Sequence, residues 1–211
     1  MLLGPPFNNF ITSPTEVAVK WAQGSAAVAS LCWEATMYEG LLDKLQGITV
    51  PVFYGLFLGD FGGTPMGCMV LEWCPSSGWE MAESPTRDEV RMRGLAVADL
   101  HKAQVHHGQL YAQGDALCWL DGRHFLRAQD GSVRVVDFSA AVHHECLGGN
   151  NSYWIDAEHL SEDCHCKELT LAMHHASRAN AGLLKDVPWI PNPEKPQLEG
   201  DSRRISLSSL L

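Results

Sequence analysis

The segment Val133-Arg-Val-Val-Asp-Phe-Ser139 runs β-branched residues directly into a carboxylate and then an aromatic ring. Residues of that kind suit a pleated, half-buried surface, so the segment predicts a buried strand ending at Asp137 in a turn. A carboxylate held there is an oxygen ligand for a hard divalent cation. Far upstream, Glu16-Val-Ala-Val-Lys20 predicts another strand, ending in a lone lysine followed by Trp21. The two residues offer a fixed counter-cation for anionic charge and a seat for a metal.

Between them lie the elements that must position this pair. Gln23-Gly-Ser-Ala-Ala reads as a turn, and Ser30 as the cap of a helix through about Leu45. Leu31, Ala35, Tyr38, Leu41, Leu42 and Leu45 share one face of that helix. At 100° per residue, Glu34 lies about 50° from the centre of this face and Glu39 about 90°. Glu34 is therefore the carboxylate aimed at the core. Two apolar runs, starting at Pro51 and at Met66, flank the glycine-rich turn Gly59 to Gly63 and predict a β-hairpin. Cys74-Pro-Ser-Ser-Gly78 breaks the pattern, and Thr86-x-x-Glu89 forms a capping box for a helix to about Ala103. Cys166 to Leu184 reads as helical, and the proline- and serine-rich stretch from Pro188 as a loose tail.

Taken in order, Lys20, Glu34, the hairpin, His107-Gly-Gln109-Leu and Asp137-Phe-Ser139 resemble the protein-kinase-like family, most closely a fungal group of such sequences. The resemblance covers about residues 16–170. It implies a two-lobed α+β fold: a truncated small lobe (residues 1–74) of antiparallel strands with one helix, and a mainly helical large lobe (residues 75–187), followed by a flexible tail (residues 188–211). It also implies that Lys20 contacts the phosphates of ATP, with Glu34 steadying it. Leu71 would guard the back of the pocket, while backbone groups of Glu72, Trp73 and Cys74 would meet the adenine edge. Asp137 would hold Mg, and His124 stands where an asparagine normally binds a second metal.

The same resemblance exposes the damage. Gln109 occupies the place of the aspartate that accepts the substrate hydroxyl's proton, and an amide has no comparably basic lone pair. Omitting residues 111–120 restores the family spacing, so that stretch reads as an insertion. Ahead of Lys20 the only glycine is Gly4, followed by two prolines that lack N–H donors, so no phosphate-covering glycine loop is evident. These departures favour a pseudokinase or scaffold that binds ATP and Mg weakly at best and acts through protein partners. An active phosphotransferase using Asp121 or Asp115 as the base is the alternative. A third reading assembles His143, His144, Cys146, Cys164, His165 and Cys166 into a zinc-stabilised interaction module.

Composition narrows the classes. The chain has 211 residues and a net charge of −10, with no local basic patch, which argues against a nucleic-acid partner. Seven scattered cysteines do not form a secreted disulfide framework, and no apolar run approaches a membrane span. The expectation is an intracellular protein, cytoplasmic or nuclear, with no membrane partner. Arg203-Arg-Ile-Ser206 has the pattern of a site phosphorylated by basophilic kinases, or of a solvated polar tail.

Overall fold

The computed structural model describes residues 16–75, 86–112, 119–120, 122–146, 166–180 and 205–206. It is a mixed α+β structure, with three α-helices and small antiparallel sheets among those residues. Strand β1 (Glu16–Gln23) pairs antiparallel with β3 (Thr64–Glu72), whose other edge carries β2 (Phe53–Phe61). Lys20 stands opposite Met69 in this register. Strands β2 and β3 turn through Gly62–Gly63, where the Asp60 side chain accepts from the Gly63 N–H at 2.7 Å.

Helix α1 (Ser25–Glu39) begins five residues before the expected cap at Ser30. Ser25-Ala-Ala-Val-Ala is rich in the best helix former, which outweighs the turn that its small residues predict. No side chain caps this end. Gly24 instead donates its N–H to the Pro65 carbonyl at 2.8 Å, anchoring the helix start to the hairpin. The helix stops before Gly40, and Leu45 belongs to a separate 3₁₀ turn, Asp43–Leu45. Leu42 nonetheless stays fully buried, so the apolar face continues beyond the helix itself.

Helix α2 (Arg87–Lys102) opens with the capping box, in which Thr86 Oγ accepts from Glu89 N–H and the Glu89 carboxylate accepts from Thr86 N–H. It packs on α3 (Lys167–Asn180), where Gly94 permits close approach; a Cβ there would sit 2.8 Å from that of Ala176. Between these helices run short antiparallel pairs: β4 (Val105–His106) with β9 (Val142–His143), β5 (Tyr111–Ala112) with β6 (Trp119–Leu120), and β7 (Phe125–Arg127) with β8 (Val133–Val135). Of the stretch expected to form a loose tail, residues 188–211, only β10 (Ile205–Ser206) is described; it lies beside Glu16 and Val17 at the edge of the large sheet.

One contiguous core joins α1, the sheet, α2 and the small hairpins. It includes Leu31, Tyr38, Met69, Leu100, Phe125, Val135 and Phe138. Tyr38 stacks on Phe53 with centroids 5.6 Å apart and meets Phe138 edge-on at 5.5 Å. Arg134 adds a polar tie. It is nearly fully buried and forms paired hydrogen bonds to both oxygens of the Glu72 carboxylate, at 3.2 and 3.3 Å. No helix among the described residues is long and apolar enough to cross a membrane.

Candidate functional site

Lys20, Glu34 and Asp137 come from β1, α1 and the turn after β8, and their charged groups meet. Lys20 Nζ donates to Glu34 Oε2 at 2.6 Å and to Asp137 Oδ1 at 2.8 Å. The second Glu34 oxygen accepts from the Phe138 N–H at 3.1 Å. Glu34 is only 1% exposed, and a carboxylate so buried needs both partners. Burial raises its pKa against the pull of Lys20. For Lys20, burial works downward, yet the two carboxylates outweigh it and hold the ammonium above the ordinary lysine value. Asp137 is pushed up by burial, but Lys20 and the Ser139 hydroxyl, which donates at 2.9 Å, bring it below the usual carboxylate range.

Asp137 has φ +70°, the left-handed region that aspartate tolerates better than most residues. That conformation turns the chain immediately after the strand and is a local strain held by the packing of Phe138. Beside the three charges opens a cleft of about 470 Å³, lined by Lys20, Trp21, Gln23, Glu34, Asp137 and Ser139 among others. This volume falls within the range of small-molecule and cofactor sites.

The loop before β5 is held by a residue that the sequence reading missed. Glu168, at the start of α3 and 3% exposed, accepts from the backbone N–H of His107 at 3.0 Å and of Gly108 at 2.9 Å, and bonds the His101 ring at 3.0 Å. Burial opposes its charge, yet these donors bring its pKa down to about 2. An acidic residue in a helix's first turn signals only a favourable dipole contact, so nothing in the sequence separated Glu168 from a surface carboxylate. Gly108 itself has φ +83°, and a Cβ there would come 3.0 Å from the Ala140 carbonyl oxygen.

His107 bonds the Val136 carbonyl through Nε2 at 3.0 Å, and its Nδ1 accepts from the Gln109 N–H at 3.4 Å. Burial lowers its pKa to about 4, so the ring is neutral and links the loop to the residue preceding Asp137. The Gln109 side chain is exposed. His124 is buried with its ring 5.0 Å from that of His107, and a positive charge on it would add to the effects that lower the pKa of Asp137.

The segment Leu71–Cys74 does not line the cleft around Lys20. Leu71 is in the core, and the Glu72 N–H is already committed to the Val52 carbonyl at 2.8 Å. Burial raises the Cys74 thiol to about 12, which keeps it protonated. Residues Asp115 and Asp121, the substitute bases of the alternative reading, lie outside the described residues, as does Gly4. The ends of the 111–120 stretch are described: Tyr111 stands opposite Leu120 in an antiparallel pair, so the insertion closes on itself.

The chain matches no protein-family model and no characterised protein.

Proposed function

We propose that this chain is a protein-kinase-like domain whose catalytic loop has lost its base. It holds Mg-ATP weakly at best and acts chiefly through protein partners. The observation that carries this reading is the Lys20 ammonium bonded at once to Glu34 and Asp137, residues drawn from remote parts of the chain. The small lobe of this fold corresponds to β1–β3 with α1, and the large lobe to the part built on α2 and α3.

The residues fit the nucleotide and its metal in kind. Lys20 supplies a positioned cation for phosphate oxygens, and Asp137 supplies a hard oxygen ligand. Mg held through Asp137 would offset the charge of the phosphates. One ammonium faces two carboxylates, so a polyphosphate arriving without a cation meets net negative charge at the site. Nucleotide binding at this cleft should therefore require the metal.

Chemistry is where the site falls short. Gln109 cannot take up a proton, and loss of a general base costs about 10²–10⁴ in rate. The 111–120 hairpin follows directly after the base position, where displacements of about 1 Å matter. The rival reading is an active kinase that recruits Asp121 or Asp115. Measuring γ-phosphate transfer separates the two, using the unmodified chain and a variant with Gln109→Asp and residues 111–120 excised. Excision suits the structure, because the hairpin ends already stand side by side. The proposal predicts negligible transfer by the unmodified chain and a gain in the variant. Turnover by the unmodified chain that Lys20→Ala abolishes would defeat it.

A further inference from the structure

A second constellation lies away from the cleft. His101, His144, Cys146 and Cys166 each present one ligand atom, and these four atoms lie within 4.8 Å of one another. We propose that they form a structural zinc site of the Cys₂His₂ type. His101 lies in the last turn of α2, His144 and Cys146 follow β9 with one residue between them, and Cys166 precedes α3. After β9, Glu145 is exposed while Cys146 is buried and His144 half-buried, so the two ligands on either side of Glu145 serve together. The ligand set differs from one built on the neighbours Cys164-His165-Cys166, whose first two members lie outside the described residues.

The geometry suits zinc. With Zn–S near ~2.3 Å and Zn–N near ~2.0–2.1 Å, the S···N edge of a tetrahedron is about 3.6 Å. Cys166 Sγ and His101 Nδ1 are 3.6 Å apart. A pair at the widest separation, 4.8 Å, would contract by about 1–1.5 Å to close on an ion. Glu168 Oε1 lies 3.0 Å from His101 Nε2, and with the carboxylate accepting from that nitrogen the Nδ1 lone pair is left facing Cys166. A carboxylate behind a ligating histidine is the usual outer support of a zinc ligand. His144 Nε2 is buried and, among the described residues, has no hydrogen-bond partner, a cost that a metal bond would remove. Cys146 and Cys166 are both buried and unbridged. Bound as thiolates, after releasing two protons to solvent, they cancel the charge of the ion and leave a neutral buried centre.

Four protein ligands close the coordination sphere, so the site is structural rather than catalytic. It would clamp the end of α2 and the start of α3 to the segment after β9, across residues 147–165. Through His101 and Glu168 it would also steady the backbone of His107 and Gly108.

The test is metal analysis of the full chain purified from zinc-supplemented medium. About one zinc per chain is expected, falling about tenfold or more in Cys146→Ser and Cys166→Ser but not in Cys68→Ser, which lies on β3. Cobalt exchanged into the unmodified chain should give tetrahedral ligand-field bands and thiolate-to-cobalt charge transfer, a readout that needs no variant to fold. Absence of zinc together with absence of those cobalt bands would overturn the proposal. So would a Cys146–Cys166 disulfide, detected by intact mass before and after reduction, or full zinc retention by both serine variants.

Discussion

Lys20 divides one positive charge between two carboxylates, and the one it cannot leave unpaired is Glu34. Asp137 is about two-fifths exposed and can turn to solvent or a metal, whereas Glu34 is sealed in the core. Lys20→Met should lower the stability of the ligand-free chain by about 1–3 kcal/mol, with the lower end favoured because the lysine is itself partly exposed. Adding Glu34→Gln should restore part of that loss, because a neutral amide tolerates the site better than an orphaned carboxylate. Denaturant melts of both variants check this; equal loss in the single and double variants would mean that Lys20 stabilises through packing alone. Lys20, Glu34 and Asp137 were legible because each sits at a recognisable point of a periodic element. Glu168 and Arg134 were not. Their roles depend on tertiary partners about 60 residues away, the loop amides for one and Glu72 for the other, and no local pattern encodes such a partner.

At the scale of elements, the signals that survived were those with a specific local mechanism. The Thr86–Glu89 box satisfies orphan amides at the helix start, and both of its bonds are present. Helix α1 was misplaced because it has no such device and starts from a backbone contact to Pro65, which only the folded hairpin supplies. The box also carries a pH signature. Glu89 is opposed by burial, but the Thr86 donors and Arg127 hold its pKa below the ordinary value. A depressed carboxylate contributes stability that is full above its unfolded pKa of about 4.5 and is lost as the pH falls through the folded value. Glu89→Gln should therefore lower stability by about 0.5–1 kcal/mol at neutral pH, and the difference should vanish in acid. Thermal melts from pH 7 down to 3 would show it; a constant difference across that range would exclude the charge as its source. At the α2–α3 crossing, Gly94→Ala gains helix propensity but meets the Ala176 methyl. Overpacking should win, with a net loss of about 1–3 kcal/mol; a more stable variant would show that the helices separate at little cost.

At the scale of the molecule, one core among the described residues runs from α1 through Phe138 to α2, so the three charged groups are carried on elements that pack against one another. The sequence conveyed the order of those elements through its apolar periodicity. It did not convey that Gln109 would sit beside a loop tied down by a buried glutamate, nor that the insertion would close as a hairpin. Both arise from contacts between distant segments. Lys20 and Asp137 are proposed to form a metal-dependent nucleotide site together. A thermal-shift titration with Mg-ATP, and with ATP in the presence of a chelator, tests it most directly. A metal-dependent site gives a rise of about 2–4 °C at several times the dissociation constant with Mg-ATP, a negligible shift without the metal, and loss of the effect in Lys20→Ala and Asp137→Asn. No shift under either condition, or a shift indifferent to magnesium and to both substitutions, would contradict it.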